Sequence, residues 1–161
     1  MNFIGKLTVG ALIGYQGVAA SLDDGKCRAL VLSGGASWGA WEIGVLWGLA
    51  RYGNPDDFHW DVLSGISAGS INTAGLVLWA PEDVVEMTQW MSDVWASLTT
   101  DQILLERPEG ILNSFLFGES IFDDSPALDF MTNLMQPFGS FKKRFTVGAV
   151  DVGTGAFTTF N

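Results

Sequence analysis

Two apolar runs of strand length, Arg28-Ala29-Leu30-Val31-Leu32 and Trp60-Asp61-Val62-Leu63, each break into a glycine-rich turn and then into a helical stretch. The first turn is Ser33-Gly34-Gly35-Ala36-Ser37-Trp38-Gly39-Ala40, and its helix ends near Tyr52. The second is Gly65-Ile66-Ser67-Ala68-Gly69, and its helix runs through Ser70 to Leu78. Short apolar strands that hand over directly to helices belong in a parallel sheet. The expectation is an α/β fold with a largely parallel central sheet, with both turns side by side at the strands' C-terminal edge.

The second turn has the form G-x-S-x-G between a strand and a helix, the sequence of a nucleophile elbow. Small flanking residues let the chain turn sharply enough to lift the serine hydroxyl above the sheet edge. That makes Ser67 the candidate nucleophile, with Gly65 and Gly69 as the residues that shape its turn. In a chain with 20 glycines the pentapeptide alone says little, and its weight comes from the strand before it and the helix after it.

The first turn has three readings. Backbone N–H groups of a glycine-rich turn at a helix N-terminus converge on one point, where the helix dipole also favours negative charge. Beside a nucleophile such a turn is an oxyanion hole, built here from Gly34, Gly35 and Ala36. The glycines also suit nothing more than a tight turn with close helix packing. A nucleotide cradle is the third reading, but no Gly-Lys-Ser/Thr follows, and no acidic residue ends a clear second strand about 20 residues on.

His59, the single histidine, precedes Ser67. A hydrolase triad on a doubly wound sheet runs serine, acid, histidine, so this chain cannot supply imidazole in that order. His59 is expected near the opposite sheet edge, packed beside Trp60. An acidic base remains the alternative for activating Ser67.

With these residues in view, the sequence resembles the patatin-like phospholipases. Leu30-Val31-Leu32-Ser33-Gly34-Gly35, continuing to Gly39-Ala40 and Gly44-Val45-Leu46, is similar to that family's oxyanion-loop block. Asp61-Val62-Leu63-Ser64-Gly65-Ile66-Ser67-Ala68-Gly69-Ser70-Ile71-Asn72 is similar to its nucleophile block. The resemblance is firm from Arg28 to Leu78 and weaker at Ser125-Pro126-Ala127-Leu128 and Phe145 to Asp151. It implies a three-layer α/β/α domain over residues 28–161 and a Ser-Asp dyad that hydrolyses lipid acyl esters through an acyl-enzyme. It also implies a phospholipid or neutral lipid substrate met at a membrane or lipid-droplet surface, with no metal and no cofactor.

Three positions depart from the family pattern. Ala36 stands where a third consecutive glycine is usual, which is tolerable if the backbone there avoids positive φ. Trp38 stands where Lys or Arg is common, so a positive charge is lost beside the loop. No Asp-Gly-Gly or Asp-Gly-Ala follows Ser67, and Asp24-Gly25 lies before the first strand. Asp151 is the substitute base within the chain, although it equally starts the turn Val152-Gly153-Thr154-Gly155 between two strands. The expectation is therefore a domain truncated at its C-terminus, or a lipid-binding pseudoenzyme without a dyad aspartate; an acyltransferase is a third reading.

The remaining chain adds context. Met1 to Ala20 carries Lys6, an apolar stretch and the small residues Val18-Ala19-Ala20, and reads as a signal peptide for secretion or the endomembrane lumen. An interfacial N-terminal helix is the alternative, and Cys27 alone offers no internal disulfide. Val84, Val85, Met87, Met91, Val94, Trp95 and Leu98 recur at helical spacing behind Pro81. The irregular apolar segment Asp101 to Asp124 suits either a cap over a site or packing under a long connection, and Asp124 or Ser125 is the expected cap of a helix from Pro126 to Met135. Lys142 to Asp151 and Ala156 to Phe160 read as a strand pair. A net charge of −10 disfavours nucleic acid and strongly anionic membranes as partners, and leaves zwitterionic or neutral lipid.

Overall fold

A computed structural model describes residues 25–108, 110, 113 and 122–161. The leader expected at Met1–Ala20, and residues 109, 111, 112 and 114–121 of the apolar segment before Asp124, lie outside these residues. Two compact units divide the chain, one ending at Ala96 and resuming at Ser140, the other spanning Ser97–Gly139.

The first unit is built on a four-stranded sheet with β1 (Ala29–Leu32) at one edge, then β2 (Val62–Ile66), then β5 (Arg144–Val150), and β6 (Phe157–Phe160) at the other edge. β1 and β2 are parallel, with Leu32 opposite Gly65. β5 lies parallel on the other side of β2, with Gly148 opposite Ile66. β6 returns antiparallel to β5 as the expected strand pair. Among the described residues the α-helices of this unit are α1 (Gly39–Tyr52), α2 (Ala68–Leu76) and α3 (Val84–Ser97, whose last residue falls in the other unit). The mostly parallel mixed sheet agrees with the α/β expectation.

Alternation along the strands decides which face is covered. Leu30, Leu32, Leu63 and Phe145 share one face and join a single core with Ile43, Leu46 and Ala50 of α1, Leu76 of α2, and Val84, Met87 and Met91 of α3. Val31, Ser64, Ile66, Thr146, Gly148 and Phe157 share the other face around an open recess of about 180 Å³. On that face Val31 is 76 % exposed and Phe157 60 %. The described helices of this unit therefore form one layer against the sheet.

The β5 entry is tied to the far end of α2. The Lys142 amide donates to the Val77 carbonyl at 2.7 Å, and the Lys143 ammonium donates to the Leu76 carbonyl at 3.2 Å and meets Met87 Sδ at 2.9 Å. Lys143 is 2 % exposed. Burial pushes its pKa down from 10.5 to about 8, against the opposing pull of Asp83, Glu82 and Asp61.

In the second unit, Thr99 and Gln102 form a capping box at a short 3-10 turn, and β3 (Leu105–Glu106) pairs antiparallel with β4 (Phe122–Asp123). α4 (Ser125–Met135) follows. Neither Asp124 nor Ser125 caps it through its side chain; the Asp123 carboxylate accepts the Ser125 amide at 2.9 Å instead. The N-cap position is nevertheless Asp124, one of the two residues expected there, and Pro126 falls in the first turn, where its missing N–H is not needed.

Lys143 makes stability depend on pH in a calculable direction. Its folded pKa lies below the unfolded value, so between pH 8 and 10.5 the unfolded chain binds more protons and stability rises with pH. Denaturant titrations across this window should show a rise of about 3 kcal/mol that Lys143→Met abolishes; a variant with the wild-type slope would contradict the assignment.

Candidate functional site

Ser67 occupies the turn between β2 and α2 with φ 54° and ψ −124°. Only Ser67 and Ala36 among the described non-glycine residues have positive φ. A non-glycine residue in this region costs on the order of 1–3 kcal/mol, so the surrounding structure must force it. The force is the closeness of α2 to the strands. A Cβ on Gly65 would overlap the Gly69 carbonyl and lie 2.6 Å from Thr73 Oγ1; one on Gly69 would overlap the Leu32 carbonyl and lie 2.6 Å from the Ser33 oxygen. Both glycines are required by close approach, since neither has positive φ.

The same closeness holds the first turn against the second. A Cβ on Gly34 would lie 3.0 Å from the Ser67 Cβ and 3.7 Å from its Oγ. Gly34, Gly35, Ala36 and Ser67 are all exposed. The Ser67 carbonyl accepts the Ser70 amide at 2.8 Å and the Ser70 hydroxyl donates to the Gly65 carbonyl at 2.9 Å, which lock the elbow. The Ser67 side chain does not cap α2.

The condition under which an alanine is tolerable at position 36, a backbone that avoids positive φ, is not met. Ala36 has φ 50°, the left-handed region, so the residue replaces a glycine at a position where glycine is the unstrained choice. The turn from Ala36 to Trp38 is a 3-10 helix that leads straight into α1, and Trp38 N donates to the Gly35 carbonyl at 3.0 Å.

Three further side chains bind the two turns together, and the sequence alone did not single them out for this. Glu42, in the first turn of α1, accepts the Ser33 amide at 2.8 Å and the Ser33 hydroxyl at 2.9 Å through one oxygen. Its other oxygen accepts the Asn72 side-chain amide at 3.1 Å. Asn72 is fully buried on α2, donates also to the Gly39 carbonyl at 3.0 Å, and accepts the Trp95 indole N–H at 2.8 Å. An acidic residue four positions into a helix behind a glycine turn was the available signal for Glu42, but ordinary dipole complementarity explains such a residue equally well.

Asp151 sits at the end of β5 and makes a turn. Its carboxylate accepts the Gly153 amide at 2.8 Å and the Thr154 amide at 3.3 Å, and its carbonyl accepts the Gly155 amide at 2.7 Å. Among the described residues no hydrogen bond joins it to Ser67. His59 precedes β2, is 7 % exposed, and places Nε2 3.7 Å from Asp56 Oδ1, at the other end of the strand from Ser67.

Comparison with known proteins agrees with the motif order. Residues 30–160 match the family model described as patatin-like phospholipase. No curated protein and no solved structure matches the chain.

The strain and the close approaches give two opposite expectations. Ala36→Gly should stabilise the chain by about 1 kcal/mol by relieving the left-handed alanine. Gly69→Ala should destabilise it by about 2 kcal/mol or more, because backbone atoms of β1 occupy the space. Chemical denaturation of both variants tests the pair; a destabilising Ala36→Gly or a neutral Gly69→Ala would contradict the local geometry.

Proposed function

Because the chain belongs to the patatin-like phospholipase family, we propose that it is a lipid acyl hydrolase in which Ser67 is the nucleophile and the Gly34–Ala36 turn is the oxyanion hole. The family is one of lipid hydrolases, and the observation that carries the finer reading is the contact between the two turns. Ser67 is strained, exposed and beside Gly34, whose neighbouring amides lie at the start of a helix.

In this reading Ser67 Oγ attacks the ester carbonyl carbon while its proton passes to a base. The carbonyl oxygen becomes an alkoxide held by backbone N–H groups of the glycine turn, a type of contact whose loss typically costs about 3–4 kcal/mol of transition-state stabilisation. Collapse of the tetrahedral intermediate, with that proton passed on to the leaving oxygen, expels the alcohol or lysolipid and leaves an acyl-serine. Water then attacks the acyl carbon, restores the Ser67 hydroxyl and releases the fatty acid.

The base is the open element. The Asp151 carboxylate, the substitute suggested by the sequence, is engaged by two loop amides. That bonding favours the turn reading of Asp151 over the catalytic one.

The surface beside the glycine turn suits a lipid interface. Trp38 is 71 % exposed, Trp41 64 % and Tyr52 79 %, and Val45 and Leu49 lie exposed between them along α1. Such rings place an apolar body and a polar N–H or O–H at the boundary of a membrane. With a net charge of −10, the chain would meet zwitterionic rather than anionic lipid. The open sheet face bearing Val31, Ile66 and Phe157 is where a further helical layer would complete a three-layer domain.

Fatty-acid release from phosphatidylcholine vesicles tests the reading. The wild type should release fatty acid faster than from phosphatidylserine vesicles, Ser67→Ala should lower release at least 1,000-fold, and Trp38→Ala with Trp41→Ala should lower it about tenfold on vesicles while sparing a soluble short-chain ester. Release unchanged by Ser67→Ala, or a folded wild type with no release on any ester, would overturn the hydrolase reading.

A further inference from the structure

The structure points to Glu42 as the positioning residue that holds the glycine turn against Ser67, and we propose that its carboxylate, through Asn72 and Trp95, sets the geometry of the oxyanion site. The functional part of this inference rests on the hydrolase reading; the mechanical part does not.

The glycine turn has little to hold it in place. Residues 33–38 are all exposed, and Gly34, Gly35 and Ala36 bring no side chain larger than a methyl group to anchor them. Ser33, the residue between β1 and the glycines, is fixed at both its amide and its hydroxyl by one oxygen of Glu42. Charge-assisted bonds of this kind are about twice as strong as neutral ones.

Glu42 is itself held from the nucleophile's helix. Its second oxygen receives the Asn72 amide, five residues beyond Ser67 on α2. Asn72 reaches the Gly39 carbonyl at the start of α1 with the same nitrogen, so α1 and α2 are joined where each leaves its turn. On α3, Trp95 fixes the remaining Asn72 oxygen, and its ring packs where a Cβ on Gly39 would lie 2.8 Å from Cζ2. One chain of contacts therefore runs from Ser33 through Glu42 and Asn72 to Trp95, and joins the oxyanion turn to the helix that carries the nucleophile.

The donor and acceptor count makes the arrangement specific. Glu42 meets three donors, the Ser33 amide, the Ser33 hydroxyl and the Asn72 amide, and a carboxylate can accept all three. Glutamine in its place has one acceptor oxygen, so its NH2 must face either the Ser33 amide or the Asn72 amide, donor against donor. Displacing a catalytic contact by about 1 Å can cost on the order of 100-fold in rate. Glu42 touches no substrate in this account and acts through the turn.

Hydrogen exchange of residues 33–38, together with phosphonylation of Ser67 by a fluorophosphonate, tests the inference. In Glu42→Gln, exchange of the turn should rise about tenfold while the core amides of β2 and α3 keep their protection, and the maximal phosphonylation rate should fall 10- to 100-fold with probe affinity little changed. Asn72→Asp should do the same by setting two carboxylates against each other. The double variant Glu42→Gln/Asn72→Asp puts the glutamine NH2 opposite an acceptor, although the aspartate oxygen still faces the Gly39 carbonyl, so its loss of phosphonylation rate should be well below the two single losses combined, which a merely structural loss would not give. Should either single variant fail to fold, the exposed Ser33→Ala, lacking one of the bonds, should still lower the phosphonylation rate severalfold. Unchanged turn exchange in Glu42→Gln, equal phosphonylation rates, or additive losses in the double variant would overturn the positioning role. A wild type that takes up no probe while the turn still loosens in Glu42→Gln would overturn the hydrolase reading and the catalytic consequence proposed for Glu42, and leave the mechanical link standing.

Discussion

At Gly69 the second helix lies so near the carbonyls of Leu32 and Ser33 that a methyl group does not fit between them. That approach ties the start of α2 to the end of β1, although the helix itself follows β2. The chain leaving β2 then has one residue, Ser67, in which to reverse direction, and it does so with φ 54°. Strain at Ser67, its contact with Gly34 and its exposure all follow from this one steric condition. The large buried side chains of Leu63, Ile43, Met87 and Met91 supply the packing that keeps the condition satisfied.

The sheet explains why the two turns meet. Parallel neighbours deliver their C-terminal ends to the same edge, and the register sets Leu32 opposite Gly65, so the turns after β1 and β2 begin side by side. The opposite edge carries other business. There the Asp61 carboxylate accepts the Arg28 amide at 2.9 Å, while His59 packs before β2. Further along the core, Lys143 is drawn into apolar surroundings by the α2 carbonyl end. A charged ammonium held there opposes folding at neutral pH, a cost that secures the start of β5 beside β2.

Much of this was legible in the sequence because it rests on local order. Strand, glycine turn and helix occur twice in succession, and the parallel pairing of β1 with β2 follows from that repetition. The helix starting near Pro81 was readable from its apolar spacing, and the last two strands from the turn between them. What could not be read depends on long-range partners. Nothing near Glu42 in the chain announces that it will meet Ser33 on one side and Asn72 on the other, 30 residues away in sequence. The left-handed Ala36 was equally hidden, because an alanine in place of glycine argues for the opposite conformation until the 3-10 turn leading into α1 is seen. At α4 the N-cap position was readable, but not that the Asp123 carboxylate would accept the Ser125 amide where a side-chain cap was expected.

Ser67 is central to the account, and trapping the acyl-enzyme tests it most directly. The chain would be mixed with a soluble acyl ester, quenched in acid within the first turnover and digested for mass spectrometry. The account predicts an acyl group on the peptide containing Ser67, absent from Ser67→Ala. Ester turnover with no acyl adduct on that peptide, or with the adduct on another residue, would contradict it.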